Sequence, residues 1–178
     1  IPEHLEGRYL RNGANPAAEV DPDLHHWFAG DAMVHGLALQ GGNASWYRNR
    51  WVRTPAEGKT LGESVRPPRS LRAGLVVTGP NTNVITHAGR TLALVEGGGA
   101  NYELTDDLDT TGSWDADGTL FGGYTAHPLR DPATGELHAV SYSAARGNTV
   151  QYSVIDTVGR ARRTVDIQVA GAPMMHAF

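Results

Sequence analysis

Turn-forming residues punctuate this chain so densely that long helices are excluded from most of it. Twenty-two glycines and ten prolines are spread through 178 residues. Few stretches between them supply the ten or so residues of unbroken periodicity that a helix requires. What remains is a series of short segments with strand character. From Ala32 to Thr54 the sequence runs A-M-V-H-G-L-A-L, then Q-G-G-N, then A-S-W-Y-R-N-R-W-V-R-T, two strand-like segments about a glycine-rich turn. Further strands are predicted at Leu75–Thr78, Asn83–His87, Thr91–Glu96, Leu137–Tyr142, Thr149–Asp156 and Arg163–Val169. Turn signals separate them at His87–Arg90, Asp115–Gly118 and Asp131–Glu136, where glycine, aspartate and proline supply the backbone angles of a reversal. The stretch Ala56–Arg72 reads as a loop crossing to the next sheet, and Val20–Phe28 fits a single helical turn or an irregular lid equally well. The fold class is therefore all-β. A meander of this kind suits a sandwich, a barrel or propeller blades, and composition does not choose among them.

With 40% hydrophobic and 19% charged residues the chain falls in the ordinary globular range, and on length alone it could be one domain, with no internal boundary visible over 1–178. A net charge of −4, with Lys59 as the one lysine, leaves no basic surface for nucleic acid. The absence of cysteine excludes disulfides, iron-sulfur clusters, thiolate zinc sites and a cysteine nucleophile from these residues. No apolar run approaches the roughly eighteen residues of a transmembrane helix. Nucleophile-elbow and nucleotide-binding motifs are also missing, and Gly97-Gly98-Gly99, without the lysine and helix of a phosphate cradle, reads as a flexible connection. Asp106, Asp107 and Asp109 lack the spacing of an EF-hand and read as a solvated turn.

Metal chemistry would have to rest on the eight histidines. His25 and His26 are adjacent, so on an extended segment they face opposite ways and cannot readily share an ion. His127 and His176 are the candidates. Each lies among apolar or small residues, in T-A-H-P and M-M-H-A-F, where an uncompensated imidazole is costly to bury. They are 49 positions apart, slightly more than the roughly 40 to 45 residues of a four-stranded propeller blade. The residues alone leave open whether these are ligands or hydrogen-bonded core histidines. They leave Glu96, closing T-L-A-L-V-E, equally open: a strand-end residue facing water, or an acceptor that orients a ligand imidazole through its other N–H.

Read in order, several blocks resemble the carotenoid cleavage oxygenase family from end to end. They are G-R-Y-L-R-N-G-A-N-P at Gly7–Pro16, H-W-F-A-G-D-A-M-V-H at His26–His35, Y-R-N-R-W-V-R-T at Tyr47–Thr54, N-T-N-V at Asn81–Val84 and A-L-V-E at Ala93–Glu96, followed by D-L-D-T-T-G, T-A-H-P, D-P-A-T-G-E and M-M-H. The resemblance implies a seven-bladed β-propeller, of which this chain makes roughly the first three blades. It implies an axial iron(II) held by four histidines, with His127 and His176 matching the first two, Glu96 matching a glutamate that orients a ligand imidazole, and the other two ligands beyond the chain. The implied activity is dioxygenase cleavage of a conjugated double bond in a carotenoid or apocarotenoid, with molecular oxygen as co-substrate and carbonyl products. Two alternatives stand beside it: stilbene cleavage, and a non-catalytic propeller that binds an apolar ligand. Stilbene cleavage would call for a lysine beside the glutamate, where this chain has Val95. No turnover is expected of the 178 residues alone. The expected location is cytoplasmic, with peripheral membrane contact left open.

The sequence departs from the family pattern at Ala14, where proline is usual, at Ala32, where glycine is usual, and at Ala177, where aspartate commonly follows the second ligand. The last of these weakens the expected local support of His176. Asp31 and His35 belong to the second block and are read as a structural pair in the hairpin.

Overall fold

The computed structural model describes residues 1–65 and 79–178. The chain runs β1 (Gly7–Ala14), β2 (Ala32–Gln40), β3 (Asn43–Trp51), α1 (Pro55–Leu61), β4 (Asn83–His87), β5 (Arg90–Leu94), β6 (Asn101–Leu104), β7 (Thr110–Trp114), β8 (Leu129–Arg130), β9 (Leu137–Ser141), β10 (Thr149–Ile155) and β11 (Ala161–Gln168), with a 3-10 turn at Ala144–Arg146. The strands form three antiparallel meanders in the orders β1-β2-β3, β4-β5-β6-β7 and β11-β10-β9-β8. The all-β expectation holds, as three successive sheets in chain order. Among the described residues no helix is long and apolar enough to cross a membrane.

Local chemistry sets the hairpins. Gly41 and Gly42, between β2 and β3, both have positive φ, 54° and 77°, the requirement of a two-residue primed turn whose twist matches the strands it joins. The same turn joins β4 to β5, with Ala88 at φ 51° and Gly89 at φ 72°. Alanine there carries a side chain in the left-handed region, which glycine and asparagine enter more readily.

The expected loop over Ala56–Arg72 begins instead with a helix. Thr54 and Glu57 form a capping box, Pro55 opens α1, and Gly62 closes it at φ 72°. Each is a recognised helix-end signal, present in T-P-A-E…G but masked by the surrounding glycine and proline content. The strand expected at Leu75–Thr78 lies outside the described residues. Val20–Phe28 forms turns without a regular helix.

The middle sheet is buried on both faces. Along β5, Leu92 and Leu94 join a core with Trp114, Leu120, Tyr124, Leu137 and Ile155, facing the third sheet. Ala93 between them joins a second core with Val34, Val52, Tyr102, Leu104 and Leu108, facing the first sheet. The period-two alternation of a strand thus feeds two cores, the arrangement of stacked blades. Gly36 on β2 admits Leu108 to this core, since a Cβ there would lie 2.9 Å from the leucine methyl.

Asparagines stitch the sheets together. The Asn12 amide donates to the carbonyls of Pro80 and Asn83, Asn81 to those of Phe28 and Gly30, and Asn83 to that of Ala126. Each satisfies a main-chain acceptor that strand pairing leaves free. The acidic turn after β6 is not merely solvated: Asp106, Asp107 and Asp109 pair with Arg8, Arg48 and Arg50 of the first sheet.

Asp31 and His35 do not pair with each other. Asp31 accepts the Ala17 N–H, and His35 Nδ1 lies 2.7 Å from the Tyr47 hydroxyl. A second such pair, His138 and Tyr152, is also 2.7 Å apart through Nδ1. The register is identical in both: Tyr47 sits opposite Leu37, two residues beyond His35, and Tyr152 opposite Val140, two beyond His138.

Candidate metal centre

His127 is delivered by the segment that leads into β8. Its main-chain N–H donates to the Thr125 hydroxyl, and the carbonyl before it, that of Ala126, is held by Asn83 at 2.8 Å. Glu96 leaves the end of β5 in a sharp turn through Gly97 and Gly98, with φ 72° and 89°. This glycine run is a close-approach device, where the sequence suggested a flexible connection: a Cβ on Gly123 would lie 2.7 Å from the Gly98 Cα. Only glycine at 123 lets the segment carrying His127 lie against the turn carrying Glu96.

His176, far along the chain, arrives at the same place. Its ring centroid is 4.3 Å from that of His127, with the planes inclined at 64°. Its Nδ1 lies 3.1 and 3.2 Å from the two Glu96 carboxylate oxygens. With Nδ1 protonated toward the carboxylate, the Nε2 lone pair of His176 is free to bind a cation, the usual way in which a carboxylate sets the tautomer of a ligand imidazole. The three residues singled out in the sequence are therefore brought together in space.

The two rings differ in how they are satisfied. Nε2 of His127 is buried and has no hydrogen-bond partner among the described residues. Burial holds its pKa below the ordinary 6.5, the adjacent His176 pushes it the same way, and Glu96 opposes them. The ring is thus neutral at pH 7, the form that donates to a metal. Asn83 Nδ2 stands 3.5 Å from His127 Nδ1, at the outer limit of a hydrogen bond, and does not fix the tautomer.

His87 supplies the contrast. It too is buried with a lowered pKa, chiefly through burial, but its Nε2 lies 2.7 Å from the Asp156 carbonyl and its Nδ1 meets Arg130. That is a satisfied core histidine, and His127 is not one. His25 and His26 take no part, His26 Nδ1 accepting the Phe28 N–H.

An orphaned buried imidazole nitrogen beside a second imidazole held by a carboxylate fits a borderline divalent ion such as iron(II). Two donors do not complete a site. Among the described residues no group of three or more histidine, cysteine or acidic side chains could hold a metal ion.

Glu96 and His176 open onto a largely apolar cleft of about 600 Å³, lined also by Trp27, Phe28, Thr82, Val95, Tyr142 and Met174. That volume is in the range of small-molecule sites. Trp27 and Phe28 stack with centroids 5.0 Å apart and remain well exposed. Of the lining residues other than Glu96 and His176, the sequence singles out Val95 alone. Trp27, Phe28 and Thr82 stand inside the H-W-F and N-T-N blocks. Tyr142 and Met174 carry no signal, because one follows a strand and the other precedes a histidine in ordinary apolar text.

Stacked antiparallel sheets define a portion of a β-propeller in which two imidazoles, His127 and His176, are brought together. The chain belongs to the retinal pigment epithelial membrane protein family, the carotenoid cleavage oxygenases, whose family model matches residues 1–178. It is 72% identical over all 178 residues to a carotenoid cleavage oxygenase of Mycobacterium tuberculosis, covering 36% of that protein. Its fold matches the lignostilbene dioxygenase of Pseudomonas brassicacearum with a TM-score of 0.80 at 29% identity, covering 99% of this chain and 39% of that one. It matches the apocarotenoid oxygenase of Synechocystis, in a glutamate variant, with a TM-score of 0.79 at 27% identity, covering 99% and 41%. The Synechocystis enzyme has also been solved in cobalt-substituted form. The chain thus spans little more than a third of the relatives it matches.

Proposed function

We propose that the full-length protein carrying this chain is a non-haem iron(II) dioxygenase that cleaves a conjugated carbon-carbon double bond of a carotenoid or apocarotenoid into two carbonyl products. One observation carries the reading most: the unpartnered, buried Nε2 of His127 stands beside His176, whose ring is held by Glu96, at the wall of an apolar cleft. His127 and His176 would hold the metal through Nε2, with two further ligands from residues outside this chain. The metal, when bound, supplies activation of dioxygen.

This chain's own residues do the positioning. Glu96 accepts the Nδ1 proton of His176 and keeps that imidazole neutral and oriented. Burial keeps His127 unprotonated at neutral pH. Trp27, Phe28, Val95 and Met174 offer a polyene an apolar wall and exclude water from it. The 178 residues act here as one contiguous portion of a single propeller domain.

Stilbene cleavage is the second reading, supported by the likeness to the lignostilbene dioxygenase. Val95 weighs against it, since it places an aliphatic side chain in the cleft beside Glu96, and Lys59 stands on α1.

The test is to load the full-length protein anaerobically with iron(II) and follow β-carotene, an apocarotenal and a hydroxylated stilbene under air, with His127→Ala alongside. Carbonyl products from a polyene, lost in the variant together with iron binding, support the proposal. Cleavage of the stilbene alone overturns the substrate class, and failure to bind iron overturns the enzyme reading in favour of a binding module.

A further inference from the structure

Tyr142 follows β9 and turns into the cleft beside the metal centre, lining it together with Glu96, Gly97 and His176. A Cβ built on Gly97 would stand 3.7 Å from the tyrosine hydroxyl and 3.9 Å from the ring carbon that bears it. Glycine at 97, already required by its φ of 72°, therefore leaves the space in front of the phenol open. Among the described residues the hydroxyl makes no hydrogen bond, although the neighbouring polar groups are engaged: Glu96 with His176, Asn81 with Phe28 and Gly30, and Thr82 with Asn81. A phenol that opens onto the cleft is satisfied by water until a ligand displaces that water, and a ligand without an acceptor then leaves the donor unpaired.

The chemistry of that acceptor is constrained. Burial and the nearby Glu96 carboxylate both raise the Tyr142 pKa above its ordinary 10, so the group is a neutral donor throughout the physiological range. The complement is an oxygen acceptor on an otherwise apolar molecule.

We infer that Tyr142 is a specificity-determining residue, donating a hydrogen bond to a carbonyl or hydroxyl oxygen of the substrate and selecting oxygenated polyenes over hydrocarbons. The inference rests on the polyene reading of the cleft proposed above and narrows it. A hydrocarbon polyene would leave the phenol without a partner. A site built around a hydrogen bond discriminates most strongly against the analogue that cannot complete it.

The experiment uses the full-length, iron-loaded protein kept anaerobic. Binding of an apocarotenal and of β-carotene is measured by quenching of tryptophan fluorescence, in the wild type and in Tyr142→Phe, and turnover of each is then followed under air. Tyr142→Phe keeps the ring and removes the donor. It should weaken aldehyde binding about three- to tenfold, the range for one lost neutral hydrogen bond. β-Carotene binding should stay within about twofold, which also reports that the variant is folded. Equal weakening of aldehyde and hydrocarbon, or no change in either, overturns the role of Tyr142. If the wild type cleaves none of these polyenes while the variant still loses aldehyde binding selectively, the cleavage reading fails and the Tyr142 inference stands. If both polyenes are cleaved and their ratio is unchanged in the variant, cleavage stands and the Tyr142 inference fails.

Discussion

Gly123→Ala isolates the contact that brings His127 to the turn carrying Glu96, the two halves of the proposed metal centre. Gly123 has no positive φ, so an added methyl costs nothing in backbone preference and everything in space. Its Cβ would lie 2.7 Å from the Gly98 Cα, about 0.7 Å short of the 3.4 Å at which ordinary contact begins, and the obstacle is backbone that cannot rotate away. Overpacking of this kind costs about 1–3 kcal/mol. The displacement also has a direction. Passed along the turn to Glu96, a shift of about 0.7 Å is enough to carry its 3.1 Å contact with His176 beyond hydrogen-bonding distance. Loss of a carboxylate behind a ligand imidazole typically lowers metal affinity about 10- to 100-fold. The assay is urea unfolding of the full-length protein together with iron(II) affinity by chelator competition. Gly13→Ala is the matched control, also without positive φ and with open space where the Cβ would go. Gly123→Ala and Gly13→Ala behaving alike in both measurements would refute the close-approach argument.

Three further outcomes are expected. Burial raises the Glu57 carboxyl above its ordinary 4.5 against the opposing Thr54 hydrogen bonds; the unfolded chain then releases this proton first, so stability falls as pH rises from about 4.5 through the raised value, and Glu57→Gln should flatten that slope in unfolding measured across pH. Replacing Asp106, Asp107 and Asp109 together by asparagine should reduce stability by under about 1 kcal/mol per pair at low salt, with the difference disappearing near 1 M NaCl, where the screening length is about 3 Å; a salt-independent loss would point to packing instead. Ala88→Asn should raise stability by about 0.5–1 kcal/mol in thermal unfolding, because asparagine occupies the left-handed region of the β4–β5 turn more readily.

What is legible in the sequence follows from how local the cause is. β4, β9 and β10 lie within a residue of their expected bounds because each is a short run with apolar residues bounded by turn signals. β1 carries no strand signal, since G-R-Y-L-R-N-G-A has no apolar period and pairs only because β2 lies alongside. β8 is two residues long and exists through its pairing with β9. Leu108 gives no sign in the sequence of being fully buried at φ 71°, a conformation held by the core it fills. At the site, His127, His176 and Glu96 can be named from their motif positions, and they do converge. Tyr142 and Gly123 cannot, because a lining side chain and a steric gap are properties of two segments meeting, and neither segment encodes the other.

The repeated His–Tyr pair offers a practical ruler. It equates β2 with β9 and β3 with β10 residue for residue, although no repeat can be seen in the letters. Anyone grafting a hairpin from one blade onto another now has a phase marker: keeping histidine and tyrosine in this diagonal fixes which side chains point up and which down. A transplant cut one residue out of step would invert both faces at once, and its tyrosine would lose its imidazole, a defect visible in the imidazole NMR signals before any functional assay.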